Sequence, residues 1–138
     1  MTSYRQLTEP SHDELREIAE LYREAGWWAG ASEHIETLRR IVSGSHCFWV
    51  ARSGGKIVAM GRAISDRVSD AYIQDVTVAG AHRHCGIGRG IVKAIVDHLR
   101  ADGLGWIGLI AERGSHGLYE PLGFRRMPDA APMLLIIE

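Results

Sequence analysis

The chain has 138 residues, of which 46% are hydrophobic and 24% charged, and its formal net charge is -1. This length and balance are typical of one globular core, so we predict a single domain over residues 1–138. The charge argues against a general nucleic-acid-binding protein, which needs a clear excess of Lys and Arg on one face. No apolar run approaches the roughly 20 residues that span a bilayer, so we expect no membrane insertion.

The cysteine content and the first residues predict a cytoplasmic protein. Two cysteines, Cys47 and Cys85, are too few for a disulfide framework, which fits a reducing compartment. The opening stretch MTSYRQLTEP lacks the apolar region of a secretory signal.

The first half of the chain predicts two helices and then a hairpin. Apolar residues recur at helical spacing over 15–22, behind a capping-box pattern formed by Ser11 and Glu14. A loop over 26–30 precedes a second helical stripe over 35–42. The runs CFWVAR and KIVAMGRAIS flank a glycine turn and predict two antiparallel strands.

The second half predicts a strand, a helix and a parallel strand. The strand covers roughly 70–78, the helix carries an apolar face of Ile91, Ile95 and Leu99, and WIGLI forms the next strand. A short helix near 114–122 and the extended run MLLII follow. The whole order indicates one mixed α/β domain.

The most informative segment is RHCGIGRG, residues 83–90, which joins the strand to the helix. The first turn of a helix has unpaired N–H groups and the positive end of the helix dipole, so a glycine loop entering there can bind a phosphate. It is not a dinucleotide fingerprint, because Ile91 stands where the third glycine belongs, and it lacks the Gly-Lys-Ser/Thr of a P-loop.

Two motifs resemble the GCN5-related N-acetyltransferases. Arg83-x-x-Gly86-x-Gly88 is similar to that family's acetyl-coenzyme A signature, and YEPLGF at 119–124 is similar to its later Tyr-Glu-x-x-Gly-Phe element. The resemblance implies a mostly antiparallel central sheet with one parallel strand–helix–strand crossover at the cofactor site, flanked by about four helices. It also implies direct transfer of an acetyl group to a primary amine of a small molecule or a protein.

The resemblance further implies acetyl-coenzyme A in a gap between the strands that end near Val78 and Ile110. No metal is expected. Backbone N–H groups over 83–89 would hold the pyrophosphate, while 76–78 would pair with the pantetheine arm and polarise the thioester carbonyl. A longer acyl donor stays open. The cofactor-binding residues implied are Val76, Thr77, Val78, Arg83, His84, Cys85, Gly86, Ile87, Gly88, Arg89, Gly90 and Tyr119.

The chemistry needs a base and an acid. An alkylamine with a pKa of about 10.4 must lose a proton, for which Asp75 is the first candidate and Glu112 the second. Each can equally be a solvent-facing acid at a strand end. Tyr119 matches the family's general acid, since a phenol with a pKa of about 10 is protonated at neutral pH. Its alternative is packing beneath the loop, and His116 is another candidate acid or base.

Some features depart from the family pattern or allow other chemistry. Glu112 stands where many members carry an Asn seven residues before the tyrosine. The run His82-Arg83-His84-Cys85 lacks the spaced ligand pairs of a zinc site. Cys85 as an acyl-carrying nucleophile would mean a ping-pong reaction, whereas the resemblance implies direct transfer.

The acceptor and the oligomeric state are left open by the sequence. Trp27 and Trp28 either form part of the acceptor site or anchor their loop to the hydrophobic core. The run MLLII is expected to pair within its own sheet, with a homodimer formed through this run as the second reading. A non-catalytic acyl-coenzyme A sensor and a nucleotide-binding protein are the other functions considered.

Overall fold

A computed structural model describes residues 1–28 and 34–137. The predicted loop over 26–30 therefore lies partly outside the described residues. The helices and strands, in chain order, are β1 (Thr2–Gln6), α1 (His12–Glu24), α2 (Ile35–Gly44), β2 (Cys47–Ser53), β3 (Lys56–Ser65), β4 (Asp70–Val78), α3 (Ile87–Ala101), β5 (Trp106–Leu109) and α4 (His116–Tyr119). Within these ranges no helix has the length and apolar character needed to cross a membrane.

The strands form one sheet in the order β1-β2-β3-β4-β5. Every neighbouring pair is antiparallel except β4 and β5, which are parallel and joined through α3. Helix α3 shares one buried cluster with residues of the sheet, while α1 and α2 share another with Phe48 and Met60. The predicted mixed α/β fold with a single parallel crossover is confirmed.

Helix α1 begins where the capping-box pattern predicts. The Glu14 N–H donates to Ser11 Oγ over 3.1 Å, and the Ser11 N–H donates to Glu14 Oε1 over 2.8 Å. The same carboxylate pairs with Arg52 of β2, which ties the start of α1 to the sheet. Burial of the Glu14 carboxyl opposes ionisation, but the Ser11 N–H and the Arg52 guanidinium outweigh it and lower the pKa of Glu14.

A bulge in β4 separates this strand from β5. Met60 pairs with Thr77 but Arg62 pairs with Gln74, so β4 contains one extra residue opposite β3. Asp75 lies in the bulge with a φ of +58°, a left-handed conformation that is uncommon for a residue other than glycine. Pairing of β4 with β5 runs from Asp70 to Ile73 and stops there.

Gly61 of β3 lies opposite the bulge and allows α3 to approach the sheet. A Cβ at this position would lie 2.8 Å from Ile91 Cγ2 and 3.1 Å from Val76 Cγ2. The Ile91 side chain is fully buried, so it has no free space into which it can move.

His46, His98 and Asp102 form a hydrogen-bonded cluster at the C-terminal end of α3. His46 Nε2 lies 2.8 Å and His98 Nε2 lies 3.3 Å from Asp102 Oδ2. The Trp49 indole N–H donates to His98 Nδ1 over 3.2 Å, which places the proton of a neutral His98 on Nε2, facing the carboxylate. The hydrogen bond from His46 lowers the pKa of Asp102. The cluster therefore joins α3 to β2 by hydrogen bonds.

Two parts of the sheet differ from expectation. Strand β1 has a polar sequence, TSYRQ, without the alternation that predicts a strand, and it is held by pairing with β2. The prediction that MLLII pairs within its own sheet is wrong, because residues 125–137 form no strand and are exposed. Strand propensity alone therefore does not make a segment pair, because the pairing also depends on the rest of the fold.

We expect Gly61→Ala to lower the free energy of unfolding by about 1–3 kcal/mol, because the added methyl group overpacks the contact with Ile91. Chemical denaturation followed by circular dichroism measures the change. Gly44→Ala is the matched control, since Gly44 ends α2 with open space around its Cα, and its stability should stay the same or rise by up to about 1 kcal/mol. Equal stability of the two variants would contradict this packing argument.

Candidate active site

A cleft of about 900 Å³ opens where β4 and β5 part, within the size range of small-molecule sites. Strand β4 supplies one wall, the glycine segment and the start of α3 a second, and the residues after β5 a third. The lining residues are Ala25, Trp27, Tyr72, Ile73, Gln74, Asp75, Val76, Thr77, Val78, His82, Arg83, His84, Gly86, Ile87, Gly88, Arg89, Ile110, Glu112, Arg113, Ser115, Leu118 and Tyr119.

The edge of β4 that faces the cleft carries unpaired backbone groups. Thr77 and Val78 pair with β3 on their other side, whereas the pairing with β5 ends at Ile73. Arg83 Nε donates to the Val78 carbonyl oxygen over 3.1 Å, which fixes the chain as it leaves the strand. An extended ligand can therefore pair with the remaining groups as an added strand does.

Helix α3 points its N-terminus at the cleft. Gly86 is the N-cap residue with a φ of +80°, a conformation that glycine adopts without strain. The first helical hydrogen bond runs from the Gly90 N–H to the Gly86 carbonyl oxygen, so the amides over 87–89 have no helical partner. Together with Arg83 and Arg89, they make this end of the cleft suitable for an anion.

Gly88 keeps the first turn of α3 close to its neighbours. A Cβ at this position would be 3.4 Å from the Val78 side chain and 3.5 Å from that of Leu118, which is ordinary contact. Alanine therefore fits at this position, whereas a larger side chain would extend into the cleft beside Val78 and Leu118.

Two residues of the predicted cofactor loop do not line the cleft. Cys85 is exposed, and its thiol lies 3.4 Å from the Arg83 carbonyl oxygen. Gly90 faces away, where a Cβ would collide with the Tyr4 side chain. Cofactor contacts from these two residues stay predictions, and the position of Gly90 gives that glycine a packing role.

Asp75 lies in the cleft wall and is held by two partners that sequence reasoning did not identify. Arg62 Nε donates to Asp75 Oδ2 over 2.7 Å, and the Tyr22 hydroxyl donates to the same oxygen over 2.6 Å. These two bonds both use Oδ2. No sequence signal marks either partner, because Tyr22 lies 53 residues from Asp75 and the bulge brings the three together.

Tyr22 is a structural donor. Burial, followed by the charge of Asp75, raises the pKa of the Tyr22 phenol far above its usual value. The hydroxyl therefore keeps its proton and remains the donor that orients Asp75.

Tyr119 and Glu112 lie close together in the opposite wall. Tyr119 is buried, and its ring packs edge-on against Phe124 with centroids 6.0 Å apart. Burial and then the charge of Glu112 raise the pKa of Tyr119. A phenol in this position is protonated at neutral pH, as a general acid must be, while the exposed Glu112 carboxyl is accessible to solvent.

The two predicted tryptophans have different surroundings. Trp27 lines the cleft and is 37% exposed. Trp28 stacks on Tyr22 with centroids 4.4 Å apart and packs against the α1–α2 cluster. Arg113 Nη1 donates to the Ala25 carbonyl oxygen over 3.3 Å, so the loop after β5 is tied to the end of α1 beside Trp27. Trp27 is therefore accessible from the cleft, whereas Trp28 packs against the core.

The basic residues Arg83, His84 and Arg89 surround the N-terminus of α3, so an anionic group is favoured there. Where the strands part, the cleft is lined by Asp75, Glu112 and Arg113, and Asp75 is paired with Arg62. Cys47, the other cysteine, takes no part, because burial raises the pKa of its thiol to about 12.

Comparison with known proteins places this cleft in a family context. Residues 3–124 match the model of the acetyltransferase (GNAT) family. The chloroplastic serotonin N-acetyltransferase 2 of Oryza sativa subsp. japonica is 37% identical over 99 residues, which covers 69% of this chain and 50% of that protein. The chloroplastic GCN5-related N-acetyltransferase 1 of Arabidopsis thaliana is 35% identical over 81 residues, covering 59% of this chain and 41% of that protein. The chain thus spans half or less of the length of these two relatives.

Solved structures share the fold. A probable acetyltransferase of Staphylococcus aureus aligns with a TM-score of 0.82 at 18% identity over 99% of this chain and 100% of its own. Glucosamine-6-phosphate N-acetyltransferase of Arabidopsis thaliana aligns with a TM-score of 0.80 at 20% identity over 100% of this chain and 99% of its own. A predicted acetyltransferase of Clostridium acetobutylicum, crystallised with acetyl-coenzyme A, aligns with a TM-score of 0.72 at 14% identity over 97% of this chain and 96% of its own. Because the family model matches residues 3–124, most of its length, the chain belongs to the acetyltransferase (GNAT) family.

Proposed function

We propose that this protein transfers an acetyl group from acetyl-coenzyme A directly to a primary amine of a small molecule or a protein. The observation that carries the proposal is the unpaired edge of β4 beside the N-terminus of α3. A pantetheine arm can hydrogen-bond along such an edge, and a pyrophosphate fits the free amides over 87–89. The residues present therefore suit coenzyme A, which would supply an activated thioester carbonyl.

Two side chains of the cleft support an amine acceptor. The exposed Glu112 carboxylate can accept a hydrogen bond from an amine, and the indole of Trp27 favours an aromatic or cationic group. Serotonin and glucosamine-6-phosphate, the amines in the names of two related proteins, are the first acceptors to test.

Residues on the β4 wall and on the wall after β5 carry out proton transfer and orient the amine. We assign the base to Glu112, because its carboxyl is exposed and can pass the amine proton to water, while Asp75 already accepts two hydrogen bonds on Oδ2. Asp75 then attracts and orients the ammonium. Tyr119 donates its hydroxyl proton to the departing thiolate, whose conjugate acid has a pKa of about 8.5.

Acetyl-coenzyme A should bind in calorimetric titration, and ATP and NAD should bind far more weakly or not at all. Gly88→Leu should reduce the affinity at least about tenfold, since its side chain extends from the wall formed with Val78 and Leu118. Gly105→Leu is the matched control, because Gly105 is exposed, has open space around it and lies outside the cleft. Preferential binding of ATP or NAD would refute the coenzyme assignment.

Tyr119→Phe should lower kcat about 10²- to 10⁴-fold, because it removes the acid and keeps the ring that packs on Phe124. The affinity for acetyl-coenzyme A should stay within about threefold, a free-energy change below about 1 kcal/mol. Thiol release measures the rate, and Tyr4→Phe, outside the cleft, is the control. A protein that binds acetyl-coenzyme A but acetylates no amine would instead be the non-catalytic sensor.

Glu112→Gln should flatten the acidic limb of the pH profile of kcat/KM. A base works only when deprotonated, so the variant should lose the part of the rise in kcat/KM at acidic pH that depends on this carboxyl. Glu120→Gln, on the adjacent turn outside the cleft, should keep the limb. If Asp75→Asn removes the limb and Glu112→Gln keeps it, the base is Asp75 and our assignment is wrong.

We also retain a cytoplasmic location as a proposal. Cys47 and Cys85 are both free thiols, which agrees with a reducing compartment.

A further inference from the structure

Two imidazoles and one carboxylate converge at the C-terminal end of α3. His46 Nε2 and His98 Nε2 both face the same atom, Asp102 Oδ2, at 2.8 Å and 3.3 Å. All three atoms lie within 4.8 Å of one another. Imidazole nitrogen and carboxylate oxygen are common zinc ligands, and in a tetrahedral zinc site the ligand atoms are about 3.3 Å apart. Side-chain movements of under about 1 Å would therefore place these three atoms around one ion.

We propose that His46, His98 and Asp102, here called the α3 metal site, bind one Zn²⁺ ion. Zinc with three protein ligands keeps its fourth position for water. The sequence did not indicate this site, because His46 lies 56 residues from Asp102 and the fold brings the two together.

The three ligands are held on well-ordered backbone. His98 and Asp102 are four residues apart, so they lie on the same face of α3. The His46 N–H donates to the Ala63 carbonyl oxygen over 2.7 Å, and the His46 side chain is only 5% exposed. Ligands fixed in this way lose little conformational freedom when an ion binds.

The hydrogen bonds of His46 leave the atom that faces Asp102 free to bind a metal. His46 Nδ1 lies 2.5 Å from Ser65 Oγ, which also accepts the Arg67 N–H over 2.9 Å. When Nδ1–H donates to Ser65, His46 Nε2 has a free lone pair, as a metal-bound histidine requires. This lone pair faces the carboxylate oxygen of Asp102, and a cation between the two atoms removes their repulsion.

Zinc binding would change the hydrogen bond between Trp49 and His98. The Trp49 indole N–H donates to His98 Nδ1, which places the proton of a neutral His98 on Nε2. Coordination through Nε2 moves that proton to Nδ1, where it faces the indole N–H, so Trp49 must turn away. One neutral hydrogen bond is weak beside the coordination of zinc by three ligands, and its loss reports on binding.

A shallow depression of about 560 Å³ gives an ion access to the site. It is lined by Trp49, Ala94, Asp97, His98, Ala101 and Asp102. At a rise of 1.5 Å per residue, the 15 residues of α3 place the site about 20 Å from the helix N-terminus in the cleft. The ion therefore joins the end of α3 to the start of β2 and does not contact the reacting groups.

Calorimetric titration of the metal-free full chain with zinc chloride tests the site. We expect one ion per chain with a Kd of about 10 µM or below. Asp102→Asn and His98→Ala should each weaken binding at least about tenfold. Asp97→Asn is the matched control, because Asp97 lines the same depression without being a ligand. Cys85→Ser controls for zinc on the exposed thiol, and both controls should keep the affinity within about threefold.

Two further measurements locate the ion without using enzyme activity. In nuclear magnetic resonance spectra, zinc should shift the indole N–H signal of Trp49 and leave that of Trp106, which packs on Tyr72, unchanged. Saturating zinc should raise the Tm of the wild-type protein by at least about 5 °C and that of Asp102→Asn by much less. Absence of zinc binding at millimolar concentration overturns the proposal. Binding that Asp102→Asn and His98→Ala leave unchanged, or that Cys85→Ser abolishes, overturns it as well.

Discussion

The bulge at Asp75 is the constraint on which the site depends. One extra residue in β4 shifts the pairing with β3, and β4 and β5 stop pairing two residues earlier, at Ile73. Without this separation, β5 would cover the edge of β4, and the backbone groups of Thr77 and Val78 would be used inside the sheet. A left-handed conformation at a residue other than glycine costs of order 1–3 kcal/mol, which the surroundings must offset.

The surroundings of the bulge can offset that cost. Arg62 and Tyr22 both bind the Asp75 carboxylate, and Gly61 allows α3 to pack directly over the distorted region. The ion pair is partly buried, with 17% and 23% of the two side chains exposed, so solvent screens it less than a surface pair. The same contacts that hold the backbone also orient the carboxylate in the cleft. Stability and the arrangement of the site therefore come from one set of residues.

Much of the fold could be predicted because its signals are local. The Ser11–Glu14 box, the stripe of Ile91, Ile95 and Leu99, and the glycine segment each identify an element from adjacent residues. Strand β1 and the exposure of residues 133–137 could not be predicted, because a local pattern does not say whether a segment pairs with another strand. The partners of Asp75 could not be predicted for the same reason, since the bulge carries no local sequence signal.

The packing of α4 explains why the two sequence motifs occur together. Gly88 of the first motif lies against Leu118, the neighbour of Tyr119 in the second, so the first turn of α3 and the short helix α4 are in direct contact. Tyr119 therefore lies one residue from the contact between α4 and the first turn of α3. Phe124, the last residue of the second motif, packs edge-on against the Tyr119 ring. Two segments about thirty residues apart in the sequence meet at this contact, so the anion site and the proton donor lie side by side in the cleft.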